Sequence, residues 1–343
     1  MGGKPGEAGA VRRARGRFRI GSVVILFLFL VAPLGCTRAP RRTVVVYTSV
    51  DQPYSEPLFR KFEARTGIRV RPVYDLEAAK TTGLVSRLAA ERAHPQADLF
   101  WSSEIAQTLW LKEQGLLQPY EPPPARDVSP EFRDPLGFWT GVGLRARIIL
   151  VNTDKVPESE APLSIFQLTE PAWGDGAAGL ANPLFGTSAT QAAALTALLG
   201  RERTRAYYAA LRDNGVRVVD GNSVVRDMVA GGVLKVGLTD TDDAEAALRS
   251  GAPVRIIYPD QPGIGTLYIP NTVAVVAGAP HLAEAKALAG FLVSRDVESE
   301  LMRARFFCAS VRSPPPGDMR VSWTEVAGAL DESKQDLREG PLK

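Results

Sequence analysis

From residue 43 onward, short continuous apolar runs alternate with stretches in which apolar residues recur every three or four positions. TVVVYTSV, 43–50, is β-branched and bounded by polar residues, which predicts a buried strand. PYSEPLFRKFEARTG has helical spacing and a glycine stop at Gly67. IRVRPVYD predicts a second strand, 78–95 a helix ended by Pro95, ADLFWSS a third strand, and EIAQTLWLKEQG a helix closed by Gly115. The proline-rich segment 120–135 has no periodicity and predicts a loop. Beyond it, GVGLRARIILVNTDKV reads as a long crossing strand and LSIFQLTEPAWGDG as a short helix and turn. AGLANPLFGTSATQAAALTALLG predicts strand, glycine turn and helix. RERTRAYYAALRDNG is an amphipathic helix, VRVVDGN a strand, SVVRDMVAGG a helix and VLKVGLTD a strand. APVRIIYPDQ and GTLYIPNTVAVVAG are further strands, 281–306 is helical, SPPPGDMRV is a loop, and the tail to Lys343 adds one more helix. No internal repeat is visible. Strands alternating with helices of these lengths predict an α/β fold, a mostly parallel sheet with helices on both faces.

Such sheets bind ligands beyond the carboxyl ends of their strands. Five polar turns fall there: SVDQPY, WSSE, FGTSAT, DGNS and TDTDDA. In TDTDDA, Asp242 with Glu245 three residues later fits a capping box, and Asp243 suits a helix N-terminus. Capping needs one or two of these groups. The excess points to ligand contacts by Asp240, Thr241 and Asp242. Carboxylates are hard oxygen ligands suited to Ca²⁺, Mg²⁺ or Fe³⁺, or to an ammonium group. Ser49, Asp51 and Gln52 are either helix caps or ligand groups. Trp101 is core or a cleft wall, Ser103 joins it as a ligand group, and Glu104 either complements a helix dipole or faces the ligand. Gly186 permits close backbone approach, and Thr187 and Ser188 place hydroxyls at a helix start, which makes a cap or an anion site. Asn222 and Ser223 repeat that pattern. The cleft so assembled has an acidic half and an anion-cradling half. It fits a hard metal with a bridging anion, or a small zwitterion.

The chain has 343 residues, 45% hydrophobic and 23% charged, enough for a large core and two domains. Its formal charge of +3 comes from the N-terminus: without residues 1–35, acids and bases nearly balance. No basic block remains to attract nucleic acid. RRARGRFR followed by VVILFLFLVAPLGC predicts a signal peptide over 1–35, with a run too short for a membrane span. Its end, Gly35-Cys36, resembles the lipobox of bacterial lipoproteins, except that Pro33 stands where that motif usually has Leu. Lipidation at Cys36 would leave 36–43 as a tether and the protein membrane-anchored on the extracytoplasmic side. Cys308 would then be alone, a small buried apolar residue and no nucleophile. The two histidines, His94 and His281, sit beside prolines at element boundaries and form no cluster.

TVVVYTSVDQPYSEPLFRKFEARTG, ADLFWSSE and ANPLFGTSAT, in that order, resemble the extracellular solute-binding proteins of ABC importers, in the branch of ferric iron-binding proteins. The resemblance covers nearly all of 43–312. It implies the type II periplasmic-binding-protein fold: lobe 1 from 44–140 plus 266–312, lobe 2 from 141–265, hinges at 141–147 and 265–271, and a tail over 313–343. It implies an ABC permease as partner, a small ligand, a monomer and no required cofactor beyond a possible bound ion, iron or calcium. Ferric-binding members hold iron with adjacent tyrosines in the second lobe and often an acid from the first. Glu104 matches that acid by motif order, whereas Thr241 and Asp242 stand where the tyrosines should be. The pair Tyr207-Tyr208 lies on an amphipathic helix, its side chains about 100° apart, and reads as packing. The ligand this implies is ferric iron or another hard cation with an anion; a zwitterionic organophosphonate or phosphate is the alternative. A metal-dependent exported hydrolase is the other class weighed. The chain has no Ser/His/Asp order, HExxH, glycine-rich nucleotide loop or CxxC, so binding is expected rather than catalysis.

Overall fold

The computed structural model describes residues 42–75 and 82–342. The expected signal peptide, Cys36 and nearly all of the tether lie outside the described residues. The elements are, in order, β1 (Thr43–Thr48), α1 (Gln52–Thr66), β2 (Arg69–Tyr74), α2 (Thr82–Ala90), β3 (Leu99–Ser102), α3 (Ala106–Glu113), β4 (Leu117–Gln118) and β5 (Thr140–Asn152). There follow β6 (Ala178–Ala181), α4 (Gly186–Leu199), α5 (Arg201–Asp213), β7 (Arg217–Val219), α6 (Asn222–Ala230), β8 (Val236–Asp240) and α7 (Thr241–Arg249). The chain ends with β9 (Val254–Ile257), β10 (Tyr268–Val276), α8 (Leu282–Leu292), α9 (Arg295–Arg303) and α10 (Trp323–Glu339).

The strands form one sheet in the order β2-β1-β3-β10-β5-β8-β6-β7, with β4 on β10 and β9 on β5. The parallel trio β2-β1-β3 belongs to the first lobe and the parallel trio β8-β6-β7 to the second. Two antiparallel strands, β5 and β10, join them. The first half of β5 pairs with β10, and its second half pairs with β8 and β9. All thirteen residues of β5 are buried, so this crossing strand runs through the interior of both lobes. Each half of the sheet is covered by helices, which is why runs such as β6 are buried throughout and carry no polar alternation.

Local chemistry explains where the elements depart from the expected ones. The helical stretch after β10 is two helices, broken where Ser294 accepts a hydrogen bond from the Val297 amide and so starts α9. The stretch 163–176, expected as a short helix and turn, makes two 3₁₀ turns, Ile165–Thr169 and Pro171–Trp173, because Pro171 cannot donate to the turn before it. β4 is only two residues long and carried no periodic signal. The tail is ordered: α10 packs on α4 and α5 of the second lobe and on α3 of the first, with Arg201 paired to Asp336.

Gly143 on β5 has φ +121, and a Cβ there would come 2.2 Å from the Phe307 ring. Gly143→Ala should therefore cost about 2–4 kcal/mol, from backbone strain plus overpacking, read from urea unfolding. A loss under about 0.5 kcal/mol, the surface level, would show that the crossing strand is not held this closely.

Candidate functional site

β5 carries Arg145 and Arg147, two positions apart in a strand, so both side chains leave the same face. The antiparallel register puts Arg147 opposite Asp240, the last residue of β8. Arg145 then comes opposite the residue two further on, Asp242, in the first turn of α7. The contacts follow the register. Arg147 Nη1 donates to Asp240 Oδ1 at 2.7 Å and to Asn222 Oδ1 at 2.9 Å. Arg145 Nη1 donates to Asp242 at 2.9 and 3.0 Å and to Asp240 Oδ2 at 3.2 Å, and its Nη2 donates to the Ser103 carbonyl at 2.7 Å. Asp240 Oδ2 also accepts from the Thr187 hydroxyl at 2.7 Å. Arg226 on α6 donates to Asp243 at 3.2 Å.

Each acid of the TDTDDA turn thus faces an arginine. Burial alone would raise the pKa of Asp240; the charges of Arg147 and Arg145 outweigh it and hold the carboxyl below its usual range. Burial would likewise weaken the Arg145 cation, but Asp242 and Asp240 hold it more firmly protonated. The carboxylate oxygens of Asp240, Asp242 and Asp243 lie within 4.8 Å of one another, close enough to share an ion, yet guanidinium groups already occupy them.

In front of this frame lies a cleft of about 560 Å³ between the lobes. Asp51, Gln52 and Ser103 line it from the first lobe; Gly186, Thr187, Ser188, Asn222 and Asp240 line it from the second, with Arg145 at the crossing. Five expected site residues stand behind its wall. Trp101 is core, 0% exposed and edge-on to Phe59. The Ser49 hydroxyl accepts from the Ser103 amide at 2.9 Å and so shapes the Ser103 turn. Glu104 is 1% exposed and accepts from the Ala106 and Gln107 amides and from the Thr190 hydroxyl, so it caps α3 and ties it to α4. Burial pushes its pKa up. The Thr241 hydroxyl accepts from the Ala146 amide at 3.2 Å, and Asp242 is claimed by Arg145. Asp242 does not cap α7 either: the N-cap position is Asp240, with no side-chain cap bond.

Tyr207 and Tyr208 are buried in α5, their rings 5.1 Å apart, and Tyr207 donates to the Ile165 carbonyl. Cys308 donates to the Leu144 carbonyl, and burial pushes its thiol to about 11, so it is no thiolate nucleophile.

Cleft residues missed in the sequence include Arg145, Arg226 and Arg249. Arg249, from α7, donates to the Tyr54 hydroxyl of α1 at 3.0 Å, a bond between lobes. Two buried groups of cleft-lining residues lack partners: Ser188 Oγ and Arg145 Nε. Such groups cost about 1–3 kcal/mol each when left unsatisfied. The helices α4 and α6 also begin at the cleft with no side-chain cap, at Phe185 and Gly221. The unfilled capacity of the cleft is therefore for negatively charged oxygen.

Asp240→Asn removes one partner of a buried network and should cost about 3–5 kcal/mol at pH 7. Because the folded pKa of Asp240 is depressed, its contribution is complete above the ordinary aspartate pKa near 3.8 and lost as pH falls through the folded value. The variant should show a shallower loss of stability in acid than the parent; parallel acid limbs in pH-dependent unfolding would contradict the pairing.

Residues 93–331 match the family described as bacterial extracellular solute-binding protein. The chain is 28% identical over 288 residues to Iron uptake protein A1 of Synechocystis sp., covering 80% of this chain and 78% of that protein. It is 24% identical over 291 residues to the major ferric iron-binding protein of Neisseria meningitidis, covering 82% and 85%. The structure of iron-bound HitA from Pseudomonas aeruginosa superposes with a TM-score of 0.75 at 22% identity, over 86% of this chain and 99% of that one, and so shares its fold. Proteins of this family bind a small ligand and work with an ABC permease. Among the described residues no helix is long and apolar enough to cross a membrane. With the match running through both lobes and the cleft between them, the chain belongs to the bacterial extracellular solute-binding proteins.

Proposed function

We propose that this protein captures iron, or another hard cation, together with an accompanying anion, and presents it to an ABC permease. The cation is supported by relatives named for iron uptake or ferric iron binding, which align over 80% and 82% of the chain. The observation that carries the reading is the oxyanion cradle: the uncapped starts of α4 and α6 meet the unpartnered Ser188 hydroxyl in one cleft. Oriented amides and a helix dipole favour anionic oxygen there.

In this reading 44–140 with 266–312 moves as one lobe and 141–265 as the other. The bond between Arg249 and Tyr54 helps to hold them shut, and Asp51 and Gln52 close over the ligand from the first lobe. The protein works as a monomer that binds without turnover, since the sequence offers no nucleophile motif. It is tethered outside the cytoplasm by lipid on Cys36.

Two measurements check this. Elemental analysis of protein purified without chelator should give about one iron per chain. Ser188→Val should weaken its retention by about tenfold, the scale of one lost hydrogen bond to a charged group. Phosphorus without metal would replace iron by a zwitterionic phosphonate or phosphate. Separately, Cys36→Ser should release the protein from the membrane fraction, and unchanged partitioning would contradict the lipid anchor.

A further inference from the structure

We infer that Arg145 sets the ligand class: by occupying the acidic turn it turns a three-carboxylate cation site into an oxyanion-accepting one, so iron enters as an anionic chelate. The inference rests on the iron reading above and adds which part of the cargo the protein holds.

Three observations carry it. The first is occupancy. Asp242 gives both oxygens to Arg145 Nη1, and Asp240 is shared between Arg145 and Arg147. Asp243 pairs with Arg226. A cation that used these carboxylates would have to expel buried guanidinium groups and strand their charge, which is costly in a low-dielectric interior. The second is the chemistry of what remains. Arg145 Nε–H can only donate, and it is buried without a partner in a residue that lines the cleft. A bare cation cannot satisfy an N–H; a carboxylate, hydroxyl or phosphate oxygen can. The third is position. Ser188, 3% exposed, lines the same cleft with its Oγ unpartnered, beside the two uncapped helix starts. Donors thus cluster where the cargo sits, while Asp240 at the cleft wall and Asp242 behind it serve the arginines as counter-ions. The chelate's oxygens meet the donors, and the metal is held by the chelate.

The test titrates the purified protein with three probes: ferric citrate, citrate alone, and Tb³⁺ as a hard trivalent cation without a chelator. The parent should bind ferric citrate at least tenfold more tightly than Tb³⁺. Arg145→Met, which takes the guanidinium from Asp242 and leaves Asp240 to Arg147, should reverse that order, gaining at least tenfold for Tb³⁺ and losing at least tenfold for ferric citrate. A purely structural role would weaken both probes together. Asp242→Asn serves if Arg145→Met does not fold. It should leave ferric citrate affinity within about threefold, because Asp242 meets Arg145 from behind the cleft wall and is not among the residues that line the cleft.

Tight Tb³⁺ binding by the parent, or a hundredfold loss of ferric citrate in Asp242→Asn, would overturn the inference and leave the iron reading standing. Binding of citrate alone, with no gain from iron, would overturn the iron reading and leave the assignment of Arg145 standing.

Discussion

The charge frame beneath the cleft, Arg145 and Arg147 of β5 against Asp240 and Asp242, is the constraint on which the rest of the site depends. A strand buried along its whole length cannot carry two guanidinium groups unless anions meet them. The β5–β8 register supplies those anions at the required spacing. The acidic turn is therefore first a consequence of the crossing strand, and only second a feature of the cleft.

The same frame couples the two lobes. Arg145 reaches the acids of the second lobe through one terminal nitrogen and the Ser103 carbonyl of the first through the other. Glu104 makes a parallel link, holding the start of α3 while accepting from Thr190 on α4. α10 lies across both of those helices. A ligand that completes the open hydrogen bonds of Arg145 and Ser188 would stabilise the arrangement in which these links are all made. Differential stabilisation of that kind is what binding needs in order to favour the closed lobes.

Nearly every element was legible in the sequence, because continuous apolar runs and helical spacing both reflect burial on a parallel sheet; the strand order was not, because β5 and β10 pair antiparallel with partners far away in the chain. The turns at the cleft were legible too, as a list of polar segments at strand ends. What each residue does there was less so. The surplus of acids in TDTDDA was visible and suggested a cation. Its explanation was also visible in GVGLRARIILVN, where two arginines interrupt an apolar strand at one-face spacing. Reading the two segments together required the strand register, which no local pattern specifies. Trp101 and Glu104 illustrate a second limit: at a strand end, facing core or cleft is decided by the pleat and the following turn. The tyrosine pair packs in the interior face of α5, as the amphipathic pattern of that helix implies.

Diffraction at the iron absorption edge, from crystals grown with ferric citrate, tests the central claim most directly. The iron should lie in the cleft with no oxygen of Asp240 or Asp242 bonded to it, citrate oxygens on Ser188 and Arg145, and the Arg145–Asp242 pair intact. Iron bonded to the Asp242 carboxylate, with Arg145 displaced, would contradict it.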